Sequence, residues 1–181
     1  MHVTLDGFVA GPNGEMDWIH VDEEIFEYPG KLTANADTAL YGRVTYQMMD
    51  GYWPTAADEP GASKHDIEHG TWYNEVEKVV LSNTLQGQNI SNVKIINGDV
   101  AAQIKELKQQ NGKNILIIGS PSVVHSLLEY DLVDDFWLFV NPVLLGQGTP
   151  LFKNVQAITK LKLVANITFE SGVICLHYEK K

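Results

Sequence analysis

The apolar positions of the chain form short runs that alternate with segments of helical spacing, and the last third holds only strand-like runs. Alternating strands and helices are typical of an α/β fold in which helices pack on a sheet. The predicted strands are residues 37–41, 76–82, 93–96, 114–118, 136–140, 161–170 and 173–179. The pattern therefore predicts parallel strand–helix units followed by an antiparallel tail, which together form a mixed sheet.

Two helix starts are marked by capping residues. Asp99 is expected to cap a helix that runs to residue 110, because its carboxylate can accept a hydrogen bond from a free N–H of the first turn. After the buried run 114–118, Gly119 turns the chain into a second helix. Ser120 is its expected cap, and Pro121 suits its first position.

Turn residues mark two other segments. Ser171 and Gly172 separate the last two strands and predict a hairpin. Residues 54–70 are rich in proline, glycine, alanine and charge, which predicts a mobile loop beside a functional site.

Length and charge narrow the class of protein. The 181 residues suit a single domain spanning 1–181, and no apolar run approaches the roughly 20 residues of a membrane helix. The net charge of −10 argues against nucleic acid or anionic lipid as partners. No secretory signal is visible, and the single cysteine, Cys175, fits a reducing, cytoplasmic setting.

The only arginine, Arg43, follows Gly42 at a predicted strand-to-helix corner. Free N–H groups and the positive end of the helix dipole would face an anion there, and the guanidinium and the Thr45 hydroxyl would add hydrogen bonds to phosphate oxygens. An ordinary helix start with a surface arginine explains the same spacing equally well.

Two further strand ends carry polar or small residues. Ser82 and Asn83 end one strand, although an ordinary strand-to-turn transition is the alternative. Residues 119–123 (Gly-Ser-Pro-Ser-Val) end another, where backbone amides could hold a pyrophosphate. No GxGxxG fingerprint is present, so a standard dinucleotide-binding domain is not supported.

In order and spacing, these three segments resemble the cofactor-binding segments of dihydrofolate reductase. Residues 7–11 and 15–18 (Glu-Met-Asp-Trp) resemble the loop of that enzyme that closes over the nicotinamide. The resemblance implies a dihydrofolate reductase-like three-layer fold, with a central mixed, mostly parallel sheet, a C-terminal antiparallel hairpin and helices on both faces. It also implies NADPH as cofactor. The implied contacts are Ala10, Gly42, Arg43, Thr45, Ser82, Asn83, Gly119, Ser120, Pro121, Ser122 and Val123.

The segment 142–148 (Pro-Val-Leu-Leu-Gly-Gln-Gly) and the opening motif 4–7 (Thr-Leu-Asp-Gly) resemble the RibD C-terminal family. This family is the reductase half of the bifunctional riboflavin-biosynthesis deaminase/reductase. No deaminase zinc motif precedes the segment, so a stand-alone reductase is expected. The implied reaction is NADPH-dependent reduction of 5-amino-6-(5-phosphoribosylamino)uracil. Ser120 replaces the second glycine of a Gly–Gly pair whose peptide bond is cis in dihydrofolate reductase, so the geometry of that bond is open.

Two carboxylates are candidates for proton donation or substrate orientation. The family motif points to Asp6, whereas Glu23 falls where dihydrofolate reductase carries its active-site carboxylate. An acid walled by aromatic rings would have a raised pKa. For Glu23, an ordinary helix start is the stronger interpretation. The residues expected to line a substrate cleft are Phe8, Trp18, Tyr46, Trp53, Leu144 and Gly146. Core packing explains Tyr46 and Trp53 almost as well.

His65 and His69 have the i, i+4 spacing of zinc ligands on a helix. Acidic residues lie between them and no third ligand is evident, so a solvated turn is favoured and no metal is predicted. The expected partners are a small heterocyclic substrate and a second copy of the chain in a homodimer. Two rival functions are a dihydropterin reductase and a dimeric nucleotide-binding module without turnover.

Overall fold

The computed structural model describes residues 1–85, 90–153, 155 and 157–181. The chain divides into two compact units. The terminal unit comprises Met1–Val21 and Pro121–Lys181, and the middle unit comprises Asp22–Ser120. A single domain spanning 1–181 stays a prediction.

The strands and helices alternate through most of the chain, as the apolar pattern predicts. In chain order they are β1 (His2–Thr4), β2 (Phe8–Ala10), α1 (Glu23–Ala34), β3 (Ala36–Gly42), α2 (Arg43–Asp50), α3 (Trp53–Ala56), α4 (Lys64–Glu75), β4 (Glu77–Leu81), β5 (Val93–Ile96), α5 (Val100–Lys108), β6 (Asn114–Ile117), α6 (Pro121–Glu129), β7 (Asp135–Asn141), β8 (Thr149–Pro150), β9 (Leu161–Thr168) and β10 (Ile174–Lys180). Among the described residues, no helix has the length and apolar character needed to cross a bilayer.

The sheet of the middle unit is parallel and has the strand order β5-β4-β3-β6. One of its two inner strands, β3, is buried along nearly its whole length, which explains its continuous apolar character. Gly42 at the end of β3 pairs with Leu81 at the end of β4, and Leu40 pairs with Ile117 at the end of β6. The carboxyl ends of these strands therefore lie along one edge of the sheet.

The core of the middle unit is rich in tyrosine. Tyr41, Tyr46 and Tyr73 are each at most 3% exposed and pack in one cluster with valine and leucine side chains. The Tyr73 hydroxyl donates to the Asp50 carboxylate at 3.1 Å, so this buried polar group is satisfied.

The terminal unit contains a mixed sheet with the order β1-β7-β10-β9. β1 pairs parallel with β7, whereas β7, β10 and β9 pair antiparallel. The predicted hairpin around Ser171 and Gly172 is confirmed, and Gly172 takes the positive φ of +83° that its turn requires. A separate two-stranded ladder joins β2 to β8.

The prediction of a mobile loop over residues 54–70 is wrong, because the segment contains most of α3 and the start of α4. A capping box begins α4. The Ser63 hydroxyl accepts the Asp66 N–H at 3.1 Å, and the Asp66 carboxylate accepts the Ser63 N–H at 2.9 Å. These reciprocal bonds start a helix in a sequence whose composition is typical of loops.

The predicted solvated turn at His65 and His69 is wrong for the same reason. Both histidines lie on α4, and His69 is only 9% exposed. The His69 ring lies 4.1 Å from that of Trp53, and the His65 ring stacks on Phe26 at 3.8 Å. The i, i+4 spacing therefore reflects aromatic packing among helices.

Candidate functional site

The corner between β3 and α2 has an uncapped helix terminus. Gly42 is the N-cap residue of α2, and no side chain forms a capping hydrogen bond there. The first N–H groups of a helix have no partner within the helix. Together with the helix dipole, they make this corner suited to an anion such as phosphate.

Arg43 is exposed at the first position of α2, and its guanidinium donates to the Gln47 side-chain oxygen at 2.8 Å. This is the geometry of a surface arginine on an ordinary helix, the alternative that the sequence left open. Such exposed i, i+4 contacts contribute only about 0.5 kcal/mol. A phosphate could therefore compete for the guanidinium at small cost.

The turn after β6 packs directly on this corner. The Gly42 N–H donates to the Ser120 hydroxyl oxygen at 2.9 Å. A Cβ placed on Gly119 would lie 3.3 Å from the Thr45 methyl carbon. Gly119 and Ser120 have φ values of +60° and +59°, and the peptide bond between them is trans. The first predicted cofactor segment and the first two residues of the third, Gly119 and Ser120, are therefore neighbours in the middle unit.

The second predicted segment lies at the same edge, because Ser82 directly follows the Leu81 that pairs with Gly42. The Ser82 hydroxyl oxygen accepts the N–H groups of Thr84 and Leu85, each at 3.2 Å, and so closes a local turn. Asn83 is exposed beside it. Three turns thus follow the neighbouring strands β4, β3 and β6 along one edge.

In the terminal unit, Asp6 serves as a hydrogen-bond acceptor. Its carboxylate accepts the Thr4 hydroxyl at 2.6 Å, the Leu145 N–H at 3.1 Å and the Gly146 N–H at 2.7 Å. The Thr4 bond, followed by the Gly146 bond, lowers the pKa of Asp6 below its ordinary value. Asp6 is therefore ionised near neutrality, which suits it to orienting groups better than to donating a proton.

The opening motif and segment 142–148 are joined through their backbones as well. The Leu5 N–H donates to the Val143 carbonyl at 2.9 Å. A Cβ on Gly148 would collide with the carbonyl oxygen of Ala10, which allows no side chain at that position. Gly146 has a φ of +74°, a conformation that favours glycine. The backbone conformation and packing of the terminal unit therefore account for glycine at these two positions, and no ligand is needed to explain them.

The model of the RibD C-terminal domain matches residues 1–175. The chain belongs to the RibD C-terminal domain family. This is a family of riboflavin-pathway reductases, so the expected family is confirmed.

Relatives and solved structures agree with this family. The chain is 34% identical over 180 residues to the uncharacterized protein YyaP of Bacillus subtilis (strain 168), covering 97% of this chain and 90% of that protein. A putative riboflavin biosynthesis protein from Shewanella sp. PV-4 is similar in structure, with a TM-score of 0.74, 23% identity and coverage of 100% and 96%.

Two enzymes of known structure share the fold of this chain. A Thermotoga maritima deaminase/5-amino-6-(5-phosphoribosylamino)uracil reductase matches with a TM-score of 0.68, 16% identity and coverage of 99% of this chain and 55% of that one. Dihydrofolate reductase from Enterococcus faecalis, complexed with NADP(H), matches with a TM-score of 0.64, 15% identity and coverage of 99% and 93%. The expected dihydrofolate reductase-like fold is confirmed.

The aromatic residues expected to line a substrate cleft differ in exposure. Phe8 and Trp18 are partly buried in the terminal unit of this RibD-family chain, and the Trp18 indole donates to the Glu15 carbonyl at 3.2 Å. Tyr46 is 3% exposed within the core, which favours the core-packing alternative. Trp53 is partly buried against the core and against the ring of His69.

The remaining candidate site residues lie at the starts of helices and in an exposed loop. Glu23 is exposed at the first residue of α1, directly after the Asp22 cap, as an ordinary helix start predicts. Leu144 is 70% exposed, and Gly146 is exposed near it. Pro121, Ser122 and Val123 begin α6, where Ser122 is exposed and Val123 is 2% exposed.

Sequence reasoning missed Thr4, which holds the Asp6 carboxylate and also accepts the Phe8 N–H at 2.9 Å. The short Thr-x-Asp-Gly spacing was its only available signal. In the described part of the chain, one group has the side chains of a metal site: Asp135, His177 and Glu179. His177 is hydrogen-bonded to Asp135 at 2.7 Å and stacks on Trp137, and Lys162 pairs with Glu179 at 3.8 Å, so contacts among protein side chains account for the group.

Proposed function

We propose that this chain is an NADPH-dependent reductase that transfers hydride to a heterocyclic substrate of the 5-amino-6-(5-phosphoribosylamino)uracil type. One observation carries the proposal. The uncapped N-terminus of α2 adjoins the Gly119–Ser120 turn at the edge of the middle sheet where the Ser82 turn also lies. Ligands of open α/β sheets bind at such carboxyl edges.

The donors at this edge fit the anionic groups of NADPH. The free N–H groups of α2, the Thr45 hydroxyl and the Arg43 guanidinium would hold phosphate oxygens. The polar side chains of Ser82 and Asn83 would lie toward the adenosine 2′-phosphate. A protein of net charge −10 repels anions in general, so phosphate binding needs a local group of donors such as this one.

In the proposed reaction the cofactor supplies the hydride, and the chain orients the substrate and excludes water. We assign Asp6 to orientation, because its ionised carboxylate holds the backbone of Leu145 and Gly146. Phe8 and Trp18 would offer ring surfaces to a flat heterocycle. Glu23 is exposed at the start of α1, and we assign it no direct role in the reaction.

We further propose a cytoplasmic homodimer. Cys175 is buried, and burial raises the pKa of its thiol to about 11, as suits an unreactive thiol in a reducing compartment. β9 is an edge strand of the mixed sheet and carries Leu163 and Val164, which are 46% and 43% exposed. A second copy would cover this edge. Sedimentation equilibrium should give twice the chain mass of 20.2 kDa.

Titration with NADPH and with NADH, followed by the fluorescence of the four tryptophans, tests the proposal. We expect saturable NADPH binding and weaker NADH binding. If neither dinucleotide binds, the reductase proposal fails. NADPH oxidation is then measured with the ribosylaminouracil phosphate and with dihydrofolate. Binding without oxidation by either compound would indicate a nucleotide-binding module, and oxidation by dihydrofolate alone would indicate a dihydropterin reductase.

A further inference from the structure

The side chain of Ser120 connects two turns that are distant in sequence. Its hydroxyl oxygen accepts the N–H of Gly42, 78 residues away, and Ser120 is only 2% exposed. Gly42 is itself buried and is the N-cap residue of α2. This bond therefore joins the turn after β6 to the start of the helix whose terminus carries no side-chain cap.

The conformation of Ser120 has a cost. Its φ of +59° lies in the left-handed region, which costs a residue with a Cβ about 1–2 kcal/mol. Glycine would adopt this φ freely, but it has no hydroxyl to bond Gly42. The strain is offset by a buried hydrogen bond that only a side chain at this position supplies.

The space beside Gly119 is restricted by the first turn of α2. The Cβ that Gly119 lacks would lie 3.3 Å from the Thr45 methyl carbon, tighter than most contacts of that kind. Gly119 also has a positive φ of +60°. The Gly42–Ser120 hydrogen bond thus joins the turn to α2 at a place where the Thr45 methyl group leaves little room for a side chain at residue 119.

We propose that Ser120 is a positioning residue of the dinucleotide site: its hydroxyl fixes the turn 119–120 against the N-terminus of α2, so that both can bind one pyrophosphate. This inference rests on the proposed function. Because Ser120 takes up the Gly42 N–H, that donor is satisfied within the protein. The N–H groups of the first turn of α2 remain for the anion.

The role predicts which ligands depend on Ser120. A ligand that spans both turns needs their spacing, whereas one that binds only at the Ser82 segment does not. NADPH has a pyrophosphate and belongs to the first kind. Adenosine 2′-monophosphate has the 2′-phosphate but no pyrophosphate, and it belongs to the second kind.

The experiment compares Ser120→Ala with the unaltered chain in titrations with both ligands. Loss of the bond should raise the Kd for NADPH about threefold to tenfold, the range for one buried hydrogen bond. The Kd for adenosine 2′-monophosphate should change less than about twofold. Thr33→Ala is the matched control, because Thr33 is also buried in the middle unit and its hydroxyl donates to the Gly30 carbonyl at 3.0 Å. Its NADPH affinity should stay unchanged.

Ser120→Gly separates binding from stability, because it removes the bond and also relieves the strained φ. It should fold at least as stably as Ser120→Ala and still bind NADPH more weakly than the unaltered chain. If either Ser120 variant bound NADPH as tightly as the unaltered chain does, the positioning role would be overturned and the reductase proposal would stay intact. Equal weakening of both ligands would also overturn it. Absence of NADPH binding by the unaltered chain would overturn both proposals.

Discussion

The carboxylate of Asp6 accepts the N–H of Gly146 at 2.7 Å, across 140 residues of sequence. This bond joins the opening Thr-Leu-Asp-Gly motif to the glycine-containing segment 142–148, the two motifs by which the chain resembles its family. A residue that family resemblance marks as functional therefore also has a defined part in holding the backbone of the terminal unit.

Asp6→Ala should lower stability in a pH-dependent way. The folded-state pKa of Asp6 is depressed, mainly by the Thr4 hydroxyl and then by Gly146, so its contribution is present above the unfolded pKa of about 3.9 and is lost as pH falls through the folded pKa. The urea midpoint of Asp6→Ala should lie below that of the unaltered chain at pH 7 and approach it near pH 3. Asp6→Asn, which keeps one acceptor oxygen, should fall between them.

Asp17→Ala serves as the control for Asp6, because Asp17 is another exposed acid of the terminal unit. Its urea midpoint should match that of the unaltered chain at both pH values. If Asp6→Ala behaved like Asp17→Ala, the hydrogen bonds to Leu145 and Gly146 would have no energetic role.

Gly146 and Gly148 form a matched pair for a second prediction. At Gly146 a Cβ meets nothing within 4 Å, so Gly146→Ala should cost only the strain of a positive φ, about 1 kcal/mol. At Gly148 a Cβ collides with the Ala10 carbonyl, which cannot move without disturbing β2, so Gly148→Ala should cost at least about 3 kcal/mol. Equilibrium urea unfolding of both variants measures the difference. Similar losses would show that the backbone at residue 148 relaxes.

The sequence predicted those elements whose signals are local. β5 has the predicted bounds, and Asp99 caps α5 by accepting the Ala102 N–H at 3.0 Å. The hairpin of β9 and β10 follows from its turn residues. The prediction of a loop over residues 54–70 failed because it relied on the overall composition of the segment and not on the spacing of its capping residues. Ser63 and Asp66 have capping-box spacing, but aspartate in place of glutamate or glutamine made the pattern easy to miss.

The site was predictable only in outline. Gly42, Ser82 and Gly119 each follow an apolar run, and parallel pairing brings the ends of such runs to one edge. The sequence could not show that the Arg43 guanidinium contacts Gln47, or that Tyr46 is a core residue, because these depend on side-chain directions around α2. Contacts such as Asp6–Gly146 depend on tertiary structure and leave no periodic signal.

Acid should destabilise the protein through His69. Burial lowers the pKa of His69 from 6.5 to about 4, and burial also lowers the pKa of His65. A base with a depressed folded-state pKa contributes stability that is fully present above the unfolded pKa of 6.5 and is lost as pH falls toward 4. The shift corresponds to about 3 kcal/mol. His69→Phe keeps an aromatic ring beside Trp53 and should reduce the fall in the free energy of unfolding at acid pH.

The measurement is the free energy of unfolding of both proteins at half-unit steps from pH 8 to pH 4.5. His2, whose pKa burial lowers to about 3, titrates in the same range and remains in the variant, so part of the slope should persist. Identical slopes in the two proteins would mean that His69 is accessible to solvent protons in the folded state.

Glu23→Gln tests the carboxylate that a dihydropterin reductase would need. Because Glu23 is exposed at the start of α1, we expect kcat and KM for the accepted substrate to change less than about twofold. Steady-state NADPH oxidation across pH 6 to 8 checks this, with Glu24→Gln as the neighbouring exposed control. A large fall in kcat confined to Glu23→Gln would restore the catalytic assignment and favour the dihydropterin alternative.

Arg43→Ala should weaken NADPH binding by roughly 1.5–3 kcal/mol if the guanidinium contacts phosphate, because hydrogen bonds to charged groups contribute free energies in this range. The structure adds a control, because the Arg43 guanidinium is held by Gln47. Gln47→Ala frees the arginine without removing its charge, so its Kd for NADPH should stay equal or fall slightly. Tryptophan fluorescence titration at two salt concentrations measures both, and the effect of Arg43→Ala should shrink at high salt. An Arg43→Ala variant with unchanged affinity would leave the arginine as a surface residue of α2 and restrict the anion-binding donors to the backbone of the helix and the hydroxyl of Thr45.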